Sequence, residues 1–266
     1  MPPKPCPEAN TAQDRHHVIT GLVSKLPPAA HMSARPRRGL LAALLAVLLL
    51  TGIATAPPAQ ADTATIVALG DSLVHGYGLA PEEGLVPQLQ RWLDATGLAV
   101  TLVNAGVSGD TSAGGRARAG WVLDGGADGL ILALGGNDAL RGIDPEVTRQ
   151  NLDAILAEAG RRGTEVLLVG IRAPGNFGPE YAEAFNRIFP ELAARHGVTL
   201  HPDLLAPLTG RADRAETLRR HFQPDALHPN AAGVALIVED IGPAVAEMAR
   251  RILARHAADA EAADER

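Results

Sequence analysis

Ser72 stands in Gly70-Asp71-Ser72-Leu73, directly after the apolar run 64–69. That run is rich in β-branched residues and carries no charge, so it reads as a strand buried on both faces and ended by Gly70. A hydroxyl at the carboxyl end of a strand in an open parallel α/β sheet lies where such sheets bind ligands, which makes Ser72 a candidate nucleophile. Taken alone, Asp71-Ser72 reads equally well as the cap of a following helix. Far along the chain, Asp225 lies three residues before His228 in a loop stiffened by Pro229. A carboxylate so placed can orient the imidazole while the ring reaches across to another element.

These residues must be positioned by the elements around them. Five apolar stretches read as strands: 64–69, 100–103, 130–134, 165–171 and 198–200. Helical patterns lie between them near 84–95, 146–161 and 180–195, with a last one near 230–255. Strands alternating with helices imply a parallel sheet covered on both faces. Two more polar breaks fall at the same sheet edge as Ser72, namely Asn104-Ala105-Gly106-Val107-Ser108-Gly109-Asp110-Thr111 and Gly135-Gly136-Asn137-Asp138. Singly, Gly109 fits a turn, Asn137 a cap and His228 an ordinary loop. Together at one edge, they point to a site.

The front of the chain has a different character. Residues 1–31 are rich in Pro and polar groups, with no hydrophobic period able to build a core. Ser33-Ala34-Arg35-Pro36-Arg37-Arg38, the apolar stretch from Gly39 to Ala54 and Ala59-Gln60-Ala61 have the order of a secretory leader over 32–61. Its strongly apolar part, Leu40 to Leu50, is shorter than the roughly 20 residues a membrane span needs. The expected domain is therefore 62–255, followed by an acidic, flexible tail over 256–266. Cys6, Lys4 and Lys25 all precede residue 62, so the exported chain would lack disulfides and depend on its core. From residue 62 onward, 18 Arg face 28 Asp and Glu, which argues against nucleic acid or an anionic membrane surface as the main partner.

The four blocks Gly70-Asp71-Ser72-Leu73, Ser108-Gly109-Asp110-Thr111, Gly135-Gly136-Asn137-Asp138 and Asp225-Ala226-Leu227-His228-Pro229-Asn230 resemble, in order and spacing, those of the SGNH (GDSL) hydrolase family. The longer stretches 135–142 and 171–192 resemble the branch with acyl-CoA thioesterase, lysophospholipase and arylesterase activities. The resemblance implies a flavodoxin-like three-layer α/β/α sandwich with a five-stranded parallel sheet. It implies Ser72 as nucleophile, His228 as general base and then acid, and Asp225 as the group orienting His228. The oxyanion hole would be the backbone N–H of Ser72, the backbone N–H of Gly109 and the side-chain amide of Asn137. Substrates would be small-molecule acyl esters or thioesters, with no cofactor and a monomeric enzyme in the periplasm or outside the cell. Leu73, Leu140, Ile143 and Phe177 are the expected acyl-chain contacts. A carbohydrate O-deacetylase, or a non-catalytic binding protein, are the alternatives on this fold.

Two departures stand out. His75, three residues after Ser72, is expected to be a solvated loop residue or to line the pocket mouth, and 211–220 is unusually charged, as a solvated face would be. The Gly-x-Ser-x-Gly elbow is absent, because Val74 stands where the second Gly belongs. Gly76-Tyr77-Gly78 lacks the third glycine of a dinucleotide fingerprint, and the histidines show no zinc spacing. His221, also near Asp225, is the rival base.

Overall fold

Along the strand β1 (Ala64–Gly70) the side chains alternate between two cores: Ile66 and Ala68 face one, Val67 and Leu69 the other. A strand buried on both faces must lie mid-sheet with helices above and below it. The computed structural model describes residues 63–266; the N-terminal extension and leader pattern lie outside the described residues. After β1 come α1 (Ser72–His75), α2 (Leu85–Asp94), β2 (Val100–Gly106) and α3 (Ser112–Leu123). Then follow β3 (Gly129–Ala133), α4 (Gly136–Leu140), α5 (Pro145–Arg161) and β4 (Glu165–Val169). The chain continues through α6 (Pro179–Asn186), α7 (Ile188–His196), β5 (Thr199–His201), α8 (Ala206–Thr209), α9 (Arg214–His221) and α10 (Ala231–Asp264).

The strands pair in the order β2-β1-β3-β4-β5, and every pair is parallel. This is the flavodoxin-like order, in which ligands bind where β1 and β3 diverge at their carboxyl ends. Leu85, Leu89 and Leu93 of α2 and Ile237, Ile241 and Val245 of α10 cover one face. Val122 of α3, Leu152 and Ile155 of α5, and Phe185, Phe189 and Leu192 of α6 and α7 cover the other.

The expected strand 100–103 runs on to Gly106, where Asn104, Ala105 and Gly106 pair with β1, and three helices differ from the sequence reading. Residues 112–123 form a helix although Gly114, Gly115 and Gly120 and the absence of an apolar stripe disguise it. Packing explains it: Thr111 caps its first turn, and an added Cβ on Gly115 would lie 2.1 Å from Cδ1 of buried Leu134, so the glycine lets α3 sit this close to the sheet without displacing that side chain. The helical pattern of 180–195 is split at Arg187 into α6 and α7. The last helix does not end near 255 but runs to Asp264, because Ala and Glu favour helix even where no core covers them.

Candidate active site

Gly70 ends β1 because nothing larger fits there. A Cβ would lie 2.2 Å from Val74 Cγ2 and 2.9 Å from the Ala133 carbonyl oxygen. Asp71 then caps α1, its Oδ1 accepting the Leu73 N–H at 3.0 Å, so Ser72 is the first helical residue. A first-turn N–H has no intrahelical partner, which leaves that of Ser72 free to serve a ligand.

Asp225 shapes its own loop. Its Oδ1 accepts the N–H groups of Leu227 and His228, each at 3.0 Å, closing a turn in which Ala226 takes the left-handed φ of 56°. The other oxygen accepts Nδ1–H of His228 at 2.7 Å, and Nε2 of the same ring lies 2.9 Å from Ser72 Oγ. Burial opposes ionisation of Asp225, but the bonds from the His228 ring and from the two backbone N–H groups outweigh it and hold the carboxyl at about 2. Tyr77, half exposed, packs its ring 4.8 Å from the imidazole. Ser72, His228 and Asp225 thus form one hydrogen-bonded chain.

Gly109, after β2, has φ +81°, a conformation that L side chains rarely adopt. Asn137, after β3, has its amide nitrogen 3.4 Å from Oδ2 of Asp71. Both line the same cavity as Ser72 and His228. Three side chains tie these loops together. Arg118 of α3 donates to the Gly70 and Ala105 carbonyls and to Asp110, Asp138 accepts the Ser112 N–H and hydroxyl and the Thr148 hydroxyl, and Arg141 donates to the Gly109 carbonyl at 2.9 Å. Sequence reasoning missed Tyr77, Arg118 and Arg141; for Asp138 the available signal was an acid directly after Asn137, and its burial is seen only in the structure.

The cavity, of about 550 Å³, is walled by Leu73, Ile171, Leu205, Leu208, Leu218 and Phe222, with Leu140 at its opening. Ile143 and Phe177 do not line it. Instead the Phe177 ring packs 5.3 Å from that of Tyr181, whose hydroxyl donates to the Ile143 carbonyl at 2.8 Å, so this pair braces the loop after Asn137 from outside. His75 lies off the cavity too, with Nδ1 2.9 Å from Ser108 Oγ. His221 does not line the cavity and sends its backbone carbonyl to the Asn230 N–H. Among the described residues, no group of three His, Cys, Asp or Glu side chains could hold a metal.

Asp71 is buried, and burial pushes its carboxyl up to about 6 from 3.8, against the opposing Leu73 N–H. With the folded value above the unfolded one, its contribution to stability is full below about pH 4 and is lost as pH rises through about 6. Asp71→Asn, which keeps an acceptor for Leu73, is therefore expected to gain stability over the parent at pH 8 by up to about 3 kcal/mol, and nothing at pH 4. Urea midpoints of the two proteins at both pH values check this, and an equal offset at both would contradict it.

The model of the GDSL-like lipase/acylhydrolase family matches residues 68–236. Esterase TesA of Pseudomonas aeruginosa is 38% identical over 205 residues, spanning 77% of this chain and 95% of that protein. Thioesterase 1/protease 1/lysophospholipase L1 of Escherichia coli K12 is 38% identical over 174 residues, 65% of this chain and 77% of the relative. Among solved structures, the psychrotrophic esterase EstA from Pseudoalteromonas sp., inhibited by monoethylphosphonate, superposes with a TM-score of 0.63 at 31% identity, covering 69% of this chain and 97% of the other.

Proposed function

The chain belongs to the GDSL-like lipase/acylhydrolase family, and from that premise we propose that it hydrolyses carboxylic esters and thioesters through an acyl intermediate on Ser72. One observation carries this reading: the Ser72–His228–Asp225 hydrogen-bond chain opens onto an apolar cavity whose lining also includes Gly109 and Asn137. Neutral His228 takes the Ser72 proton at Nε2 as Oγ attacks the acyl carbon, while Asp225 holds Nδ1–H and stabilises the imidazolium that forms. The Ser72 and Gly109 N–H groups and the Asn137 amide then face the oxyanion as neutral donors. His228 returns the proton to the departing alkoxide or thiolate, and a water activated by the same ring releases the acid.

The apolar wall supports a preference for acyl chains longer than acetyl. Each methylene removed from water contributes about 0.8 kcal/mol, so kcat/KM rises by up to about fourfold per methylene until the wall is covered. A panel of p-nitrophenyl esters from acetyl to palmitoyl, run beside acyl-CoA, tests the reading. Leu208→Ala and Phe222→Ala are expected to flatten the profile while acetyl ester turnover is largely kept. If acetyl esters prove best and neither truncation matters, the long-chain assignment falls.

The proposal includes export, supported by the leader-like order of residues 32–61. N-terminal sequencing of protein from the envelope or medium is expected to begin at Asp62. A chain still carrying Leu40 to Leu50 would mean an anchor.

A further inference from the structure

A residue that both lines the cavity and is exposed must lie at its opening. By that test the mouth carries the large apolar Tyr77, Leu140 and Leu227, which are 50%, 42% and 42% exposed, the arginines Arg172, Arg211 and Arg214, and the small Ser108, Gly109, Thr209 and Ala226. Two of the arginines belong to the charged segment 211–220, which is more than a solvated face because Thr217 and Leu218 of the same segment line the cavity. The only acids in the lining, Asp71 and Asp203, are buried at 4% and 7%. Nearby acids are already engaged: Asp225 with His228, Asp213 with the Glu216 N–H, and Glu216 with Arg219 and Arg220. Arg172 reaches Asp203 only at 3.5 Å, and among the described residues Arg211 and Arg214 have no acidic partner.

The chain as a whole has a net charge of −6, yet the only exposed charged side chains in the lining of this cavity are arginines, beside exposed apolar ones. We propose that this mouth docks peripherally on an anionic lipid surface. The apolar side chains enter the boundary between headgroups and acyl chains, and the guanidinium groups meet the phosphates. Arginine suits this position because its stem lies along apolar surface while its head stays at the polar level. The arginines beside the opening would orient it toward the lipid. A soluble anion explains the arginines but leaves the exposure of Leu140 and Leu227 without a role.

Vesicle co-sedimentation of the full-length chain tests this, using Ser72→Ala protein so that no lipid is consumed. Vesicles are phosphatidylcholine alone or an equimolar mixture with phosphatidylglycerol. Residues 39–54 are common to every variant, so differences between variants report the mouth. The expected result is binding to the mixed vesicles that weakens with salt and falls on the order of tenfold with Arg211→Ala/Arg214→Ala. Leu227→Ser should weaken binding without changing its salt dependence, and both variants should keep the parent's thermal melt. Three outcomes overturn the proposal: equal binding to both vesicle types, equal binding by all variants, or self-association abolished by the same substitutions with no vesicle binding. Because the assay reads no turnover, its failure leaves the hydrolase reading untouched.

Discussion

Ser72→Ala is expected to lower kcat/KM on any ester substrate by roughly 10⁴- to 10⁶-fold, the largest effect of any single substitution in this protein. In the proposed mechanism this hydroxyl bonds the acyl carbon, and its 2.9 Å contact with His228 Nε2 is the contact that would activate it at neutral pH. His228→Ala should cost a similar factor, and the double variant should be scarcely worse than either, because nucleophile and base act as one unit. A fluorophosphonate probe should label the parent at Ser72 and leave Ser72→Ala unmodified, in keeping with a related esterase inhibited by monoethylphosphonate. Turnover above a hundredth of the parent rate in purified Ser72→Ala would remove the residue from the mechanism.

The second large effect is expected at Asn137. Removing one oxyanion donor typically costs 10²- to 10³-fold in kcat, or about 3 to 4 kcal/mol, because a preorganised donor in a water-poor site is worth far more than in bulk solvent. Asn137→Ala should therefore depress kcat by about that factor and leave KM within a few-fold, since the amide meets charge that exists only as the tetrahedral species forms. A raised KM with unchanged kcat would place Asn137 in ground-state binding instead. The substitution also strips Asp71 Oδ2 of its amide neighbour, so a melt of the variant at pH 5 and pH 8 separates lost stability from lost catalysis.

The backbone of this site is legible because its signals are local. The run 64–69 is apolar on both faces and reads as a central strand that Gly70 ends; that Val74 and the Ala133 carbonyl leave no room there for a side chain is what the structure adds. Each polar block therefore falls at a strand end, and the parallel order brings all the strand ends to one edge. Asp225 and His228 are close in sequence, so their pairing is a property of one turn.

What the chain does not reveal is everything that depends on residues distant in sequence meeting in space. Helix α3 is hidden by its glycines, yet one of them, Gly115, lets it lie close against Leu134, and the helix supplies Arg118 beneath the Gly70 and Ala105 carbonyls. Phe177 and Ile143 are apolar, on loops at the correct edge, and still miss the cavity, because Tyr181 holds them against the outside of the Asn137 loop. The apolar wall of the cavity is built instead by Leu205, Leu208, Leu218 and Phe222, from segments whose short helices carry no signal of which side faces Ser72. Sequence alone therefore determined which residues are the candidates for the chemistry and that they meet at one sheet edge, since strand ends and turns are set by neighbours along the chain. Only the tertiary structure decided what surrounds the substrate, because a cavity wall is a packing result among segments that periodicity does not relate.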